Sequence, residues 1–467
     1  MNRTRSAASL AIFAALCLSL GSTARAQTQP AAQSAPAAGQ DAGPQGKQPY
    51  TMAEYNSYQA CANDKNPASQ VKCFDDFVSK YPNSALLIYV YPQYVASYMT
   101  AKDYKKAMEA ADKVVGLGDK VDAATKYSAL YQRALAYNFL LSDPATAKAT
   151  LADTAMAKGA LDAAVLDLKF LDEVKKPENM TDDQFAKQKD TVKIFLNGIG
   201  AQAAGTQKDF PKAIDFYKAV LAISPDDVVT NYRLGQAYLA VQPPQTMEAF
   251  WYVAKGAASK AATQQQKKQL TDYLRKLIAN YQQAACENLL DAELNELLQL
   301  AASSPTRPAT YKLPGVEDLN NARKDMTIAS VIADLKAGGD KAKVTWLAAC
   351  GLDFPEVPGK VLEVTPGADA VVFKVAFVTS EDEFNAATTP NMEVKVVGQP
   401  EAARVEKDSA FHFTATLATY DPDPAFMLHW DKGKVKAEDI PAEKDKKAAP
   451  KKAPARRPAP KKPPSGK

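Results

Sequence analysis

The chain has 467 residues, 46% of them hydrophobic and 24% charged, which is room for about three ordinary domains with packed cores. Two histidines (His412 and His429), 21 glycines and 30 prolines are a poor stock for a zinc enzyme or a large nucleotide-binding enzyme. The formal charge of +4 is unevenly spread: residues 444–467 carry ten Lys or Arg against one Asp, so everything before them is net acidic.

Residues 1–26 read as a secretory signal, with Arg3 and Arg5 before an apolar run from Leu10 to Leu20 and a small-x-small end at Ala24-Arg25-Ala26. The run is shorter than the roughly 20 residues that span a bilayer, and no later stretch is apolar for long enough. Cys17 falls inside the signal. The expected compartment is the periplasm or cell envelope, where disulfides are permitted. Residues 27–50, rich in Ala, Gln, Pro and Gly, have too little apolar bulk to offset ordering entropy and are expected to form a disordered leader.

Residues 51–350 follow a helical grammar: segments of 10–18 residues rich in Ala, Lys, Leu and Gln, separated by short Pro, Gly or Asp turns. A series of helical hairpins of this kind predicts an α-solenoid. Cys61 closes one helical segment and Cys73 lies in the next, with Asn66-Pro67 between them. That places both on facing helices of one hairpin and predicts a Cys61–Cys73 bridge; two buried thiols are the alternative. Whether Cys286 and Cys350 meet is left open by the sequence. With no CxxC present, neither a thioredoxin-like site nor a zinc ribbon is supported.

Within the helical region, IFLNGIGAQAAGTQKDFPKAIDFYKAVLAISPDD (194–227) and VVTNYRLGQAYLAVQPPQTMEAFWYVAKGAA (from 228) resemble successive tetratricopeptide repeats. Ala213, Tyr217 and Pro225 fall on the small, aromatic and closing-proline positions of the motif. Leu234, Gly235 and Tyr238 match the Leu-Gly-x-x-Tyr core of a first helix. Tyr94, Tyr98, Tyr104 and Ala107 repeat the style earlier in the chain, and Tyr131 to Ala155 form a weaker unit. The sequence departs from the motif at Asn197 and Asn231, which stand where a first-helix aromatic is usual. Residues 261–349 stay helical without matching a repeat and are expected to cap the array. The resemblance implies a concave groove lined by the first helix of each pair, with Gln202, Tyr232 and Gln236 facing a protein or peptide partner.

At Asp353-Phe354-Pro355 the period changes to two. The segments 361–364, 370–378, 392–397, 410–420 and 426–430 alternate apolar and polar residues as half-buried strands do. Five strands in residues 351–440 predict a small β-barrel resembling an OB-fold, with a small sandwich as the competitor. His412 and His429 fall on neighbouring strands opposite the large apolar residues, which favours solvent-facing histidines over a metal site. The Asp421 to Pro424 segment supplies turn residues. Residues 441–467 predict a disordered Lys/Pro-rich tail with affinity for polyanions. No catalytic residue, metal ligand set or cofactor motif is found. The fold class is therefore mainly α, a tetratricopeptide-like solenoid followed by a five-stranded barrel. The expected function is a non-enzymatic interaction scaffold of the periplasm or cell envelope. The alternative is a polyanion- or nucleic-acid-binding module built from barrel and tail.

Overall fold

A computed structural model describes residues 49–283, 286–422 and 424–442. The expected signal segment, nearly all of the expected leader and residues 443–467 lie outside the described residues, as does Asp423. The chain divides into two compact units, one of residues 1–277 with 293–312, the other of residues 278–292 with 313–467.

The first unit is a series of antiparallel helices. They are α1 (Met52–Asn63), α2 (Pro67–Lys80), α3 (Leu87–Ala101), α4 (Tyr104–Gly116), α5 (Ala123–Ser142), the short α6 (Ala147–Ala152), α7 (Thr154–Glu173), α8 (Asp182–Thr206), α9 (Phe210–Ile223), α10 (Val228–Ala240) and α11 (Thr246–Ala258). Most of α12 (Gln264–Gln282) and of α13 (Glu287–Ser303) completes it. From α2 to α5 and from α8 to α11 each helix packs on its neighbours in sequence, and α7 packs on α8 and on α5, the arrangement of a solenoid. The turns explain where the helices begin. Asp103, Asp122, Asp153, Asp209 and Asp227 each accept a hydrogen bond from a backbone N–H of the first turn, a cap that contributes about 1 kcal/mol. The core runs through the series: Val192, Leu196, Ile199 and Ala203 of α8 meet Ala213, Ile214 and Tyr217 of α9, and Leu234, Ala237 and Tyr238 of α10 continue it.

The motif-bearing positions have local physical reasons. A Cβ placed on Gly235 would lie 2.7 Å from Val253 Cγ2 and 3.0 Å from the Ala249 carbonyl, so glycine lets α10 and α11 approach. Asn231, 1% exposed, donates to the carbonyls of Pro225 (2.9 Å) and Asp227 (3.0 Å), and Asn197 donates to Lys193 (2.7 Å). In place of an aromatic plug, each asparagine satisfies backbone acceptors inside the hairpin. Cys61 and Cys73 form a disulfide between α1 and α2, with Cα atoms 5.3 Å apart.

The second unit contains a closed barrel of order β1-β2-β3-β5-β4, the strands being β1 (Asp353–Pro366), β2 (Ala370–Phe377), β3 (Met392–Val397), β4 (Ala410–Asp421) and β5 (Met427–Val435). All neighbours are antiparallel except β3 and β5, the OB-like arrangement. β1 pairs with β4 through residues 353–360 and with β2 through residues 359–366, so one long strand serves both neighbours and closes the barrel. A bulge between Phe354 and Val357 takes up Pro355. Phe373, Phe411, Phe413, Leu417, Leu428 and Trp430 point inward and are at most 1% exposed. The ring centroids of Phe373 and Phe411 lie 4.7 Å apart, and Trp430 sits edge-on to Phe413 and Phe354.

The compact units do not divide at residue 350, where the sequence period changes. Helices α14 (Val316–Lys324), α15 (Ile328–Ala337) and α16 (Gly339–Ala349) belong to the same compact unit as the barrel. Ile328, Val331 and Leu335 share one face of α15, and with Ala342, Trp346 and Ala349 they join the barrel core. Trp346 meets the Tyr420 ring at 4.8 Å, and Lys336 lies over Phe426 at 5.0 Å. A second disulfide joins Cys286 to Cys350 across 64 residues of chain, with Cα atoms 6.0 Å apart. A short helix, α17 (Glu381–Ala386), follows β2.

Candidate functional site

The α10 helix is built for two faces. Val228, Asn231, Leu234, Gly235 and Tyr238 are buried against neighbouring helices, which leaves Tyr232 and Gln236, one turn apart, on the opposite side. Gln236 Nε2 donates to the Tyr232 hydroxyl at 2.7 Å. Tyr273 of α12 meets the Tyr232 ring edge-on at 5.6 Å. Burial and the neighbouring Tyr232 raise the Tyr273 phenol above its usual pKa, against a hydrogen bond from Gln236. Tyr232 and Tyr273 are half-buried and Gln236 is exposed. The cluster thus presents two rings, two hydroxyls and an amide, all uncharged and able to donate and accept. Tyr273 was outside the reach of the repeat motif, because α12 belongs to the stretch that matches no repeat. Gln202 lies elsewhere, on α8, half-buried, and donates to the Gly198 carbonyl of its own helix at 3.3 Å.

The first unit also contains a buried charge pair. Arg133, 6% exposed, holds Asp112 through two bonds of 2.6 and 3.1 Å. It passes so close to α7 that a Cβ on Gly159 would fall 1.9 Å from its guanidinium. These residues line a cleft of about 360 Å³ together with Lys158 and Asp162, themselves paired at 2.7 Å. Asp167 of α7 is different. It is fully buried, neither carboxylate oxygen has a hydrogen-bond partner, and burial pushes its pKa well above the usual range.

In the barrel, the two histidines do not meet. His412 on β4 places Nδ1 3.0 Å from Asp439 Oδ2 and donates its backbone N–H to the same oxygen. His429 on β5 lies between two carboxylates, with Nδ1 3.2 Å from Glu393 of β3 and Nε2 2.9 Å from Asp421 of β4. Both histidines are half-buried. Burial of the ring opposes its charge, yet the Asp421 and Glu393 bonds and charges outweigh it and raise the His429 pKa. The row continues outward: Glu393 stands opposite Lys374 in the β2–β3 register, and Lys374 pairs with Glu363 at 3.0 Å. Signs alternate along the row from Glu363 to Asp421. Among the described residues no group of three or more His, Cys, Asp or Glu is placed to hold a metal ion, and no helix is long and apolar enough to cross a membrane.

No protein-family model matches the chain, and no curated relative does. A solved structure, the C-terminal part of a TPR repeat-containing protein from Cytophaga hutchinsonii, is 16% identical with a TM-score of 0.23. The match covers 55% of this chain and 95% of that one. What the coordinates establish by themselves is a solenoid of helical hairpins, tetratricopeptide-like in its motif positions, and a closed five-stranded barrel.

Proposed function

We propose that this protein is a non-enzymatic interaction scaffold of the periplasm or cell envelope, holding an extended peptide or partner segment along the first helices of its hairpins. The observation that carries the reading is the Tyr232–Gln236–Tyr273 cluster, which joins α10 and α12. Half-buried tyrosines cost little ordering entropy on binding, supply contact area and keep a polar tip. An amide beside them serves the N–H and C=O groups of an extended backbone. Export is supported by the charged, apolar and small-residue order of residues 1–26 and is compatible with the two disulfides.

A barrel that reads nucleic acid would display stacking rings and a basic groove. Here Phe373, Phe411, Phe413 and Trp430 are sealed inside, and residues 353–440 carry sixteen Asp or Glu against eight Lys or Arg. Polyanion affinity, where it occurs, belongs to the tail.

The test is affinity capture by the full mature chain from its own envelope fraction, beside Tyr232→Ala/Gln236→Ala and Tyr273→Ala forms shown to be folded by circular dichroism. The expected result is one or more proteins held by the parent and lost at least about tenfold by both variants, a loss of about 1.4 kcal/mol or more. Equal capture by all three forms would remove the groove from the function.

A further inference from the structure

The cleft beside Arg133 is lined by α4, α5 and α7 and takes no residue from α10 or α12, so it is separate from the tyrosine–glutamine cluster. A guanidinium carries five N–H donors. Nε and Nη2 of Arg133 engage Asp112, whereas Nη1 is buried and has no hydrogen-bond partner among the described residues. A buried donor left unpaired is costly to keep. The helix beside it is nevertheless shaped to admit the group. Gly159 stands in the middle of α7, where glycine is unfavourable. A Cβ there would fall 2.5 Å from Arg133 Cζ and 2.9 Å from Nη1, so any side chain at 159 would displace the guanidinium.

The rest of the lining has two parts. Lys158 and Asp162 are both exposed and pair only across one turn of α7, with the base before the acid, the less favourable order on a helix. Such a surface pair opens at little cost. The other part is apolar: Val115 of α4, Leu130 of α5 and Ala163 and Leu166 of α7, with Leu166 left 40% exposed. The volume of about 360 Å³ lies within the range of small-molecule sites.

Charge decides what fits. Two bases, Arg133 and Lys158, face two acids, Asp112 and Asp162. A simple anion completing Nη1 would leave the acids uncompensated, and a simple cation would leave Nη1 unpaired. A zwitterion answers both. We propose that this cleft binds a free aliphatic α-amino acid, its carboxylate accepting from Arg133 Nη1 and Lys158, its ammonium donating to Asp162 and its side chain lying on Val115 and Leu166. The buried guanidinium supplies a charge-assisted bond away from water, where such bonds are strongest, and the apolar wall selects an aliphatic side chain over a polar one. This site goes beyond the scaffold reading and does not rest on it.

The experiment is isothermal titration calorimetry of the full mature chain with L-leucine as the probe. The expected result is saturable one-to-one binding with a Kd below about 1 mM. Three partial probes should each bind at least about tenfold more weakly: 4-methylpentanoate, which lacks the ammonium, isopentylamine, which lacks the carboxylate, and glycine, which lacks the side chain. Gly159→Ala, which displaces the guanidinium, and Leu166→Asp, at an exposed position of the wall, should each weaken leucine binding at least about tenfold. Leu151→Asp, at an exposed leucine of α6 outside the cleft, should not. Circular dichroism establishes that each variant is folded; should Gly159→Ala fail to fold, Leu166→Asp against Leu151→Asp still decides. No saturable leucine binding would leave Nη1 to a water molecule and overturn the proposal. So would equal affinity for any partial probe, leucine binding indifferent to Leu166→Asp, or an equal loss from Leu151→Asp. None of these outcomes bears on the cluster of Tyr232, Gln236 and Tyr273, whose test is the capture experiment.

Discussion

The two units use their apolar residues in opposite ways. The barrel closes on itself, so each inward side chain of β1 to β5 has neighbours on all sides, and among the described residues only Val397 of the large hydrophobics left exposed belongs to it. The helical unit leaves Met52, Leu151, Val165, Leu166 and Val229 exposed, and it also buries an unpartnered carboxyl at Asp167. A solenoid has no closed interior; every hairpin offers a face to the next and another to solvent. The barrel is complete in itself, whereas the helical unit keeps surfaces and strain that a partner can use. Binding chemistry is accordingly expected on the helices.

The largest effect that would sharpen this contrast comes from the Cys286–Cys350 bridge, which lies within the barrel's unit. It closes a loop of about 64 residues, and the chain-entropy estimate for its removal is about 4 kcal/mol. Cys286→Ser with Cys350→Ser should lower the unfolding free energy of the barrel's unit by about that amount. Calorimetry, together with fluorescence of variants that keep a single tryptophan, Trp430 or Trp251, should show the helical unit little changed. An equal loss in both reporters would mean that the units do not unfold separately.

Asp167 provides the next largest test, and it points the other way. Its folded pKa is raised, so between the unfolded carboxylate value near 4 and the folded value the unfolded chain releases a proton that the folded chain keeps. Stability from this group is therefore greatest in acid and declines as pH rises. Asp167→Leu should stabilise the helical unit by about 1–3 kcal/mol near neutral pH, and the advantage should shrink as pH is lowered toward 4. Thermal melts of parent and variant at three pH values decide it. A variant less stable than the parent at every pH would show that the carboxyl is satisfied in solution.

Which parts of this were legible in the sequence follows from how local the causes are. The helical grammar was readable because its turns are local, as where Asp209 and Asp227 each cap the first turn that follows them. Strands β2 to β4 were readable because alternation is a local pattern. The first half of β1 was not: Pro355 and Pro358 interrupt the alternation, and the segment is a strand only because β4 pairs with it. The same holds for α14 to α16. Their own pattern is helical, and nothing within it tells that Ile328, Val331 and Trp346 complete a barrel core. In the tyrosine–glutamine cluster, the repeat register singled out Tyr232 and Gln236, with Gln202, which lies elsewhere on α8, whereas Tyr273 required the packing of α12. Asp167 was invisible because a single aspartate in a helix reads as surface until its neighbours are known.

The smallest expected effect concerns the seam where β3 and β5 run parallel. His429 bridges it, and the groups facing the ring are Glu393 from β3 and Asp421 from β4, with Lys374 of β2 beyond Glu393. Each ring nitrogen faces a carboxylate oxygen, which accepts and does not donate, so both bonds form only when the imidazole carries two protons. The folded pKa is raised above 6.5, so the stabilisation is fully present below the unfolded value and is lost as pH rises through the folded one. The ring is 29% exposed, and the contribution is expected to be under about 1 kcal/mol. Denaturant melts of the parent between pH 8 and pH 6 should show the barrel's unit gaining stability as pH falls. His429→Gln, which keeps one amide donor and no titration, should flatten that slope while leaving the helical unit's profile unchanged. A slope that survives His429→Gln would show that His429 is not the group responsible. The β3–β5 seam would then be held by its backbone ladder and by the packing of Val394, Leu428 and Trp430 inside the barrel.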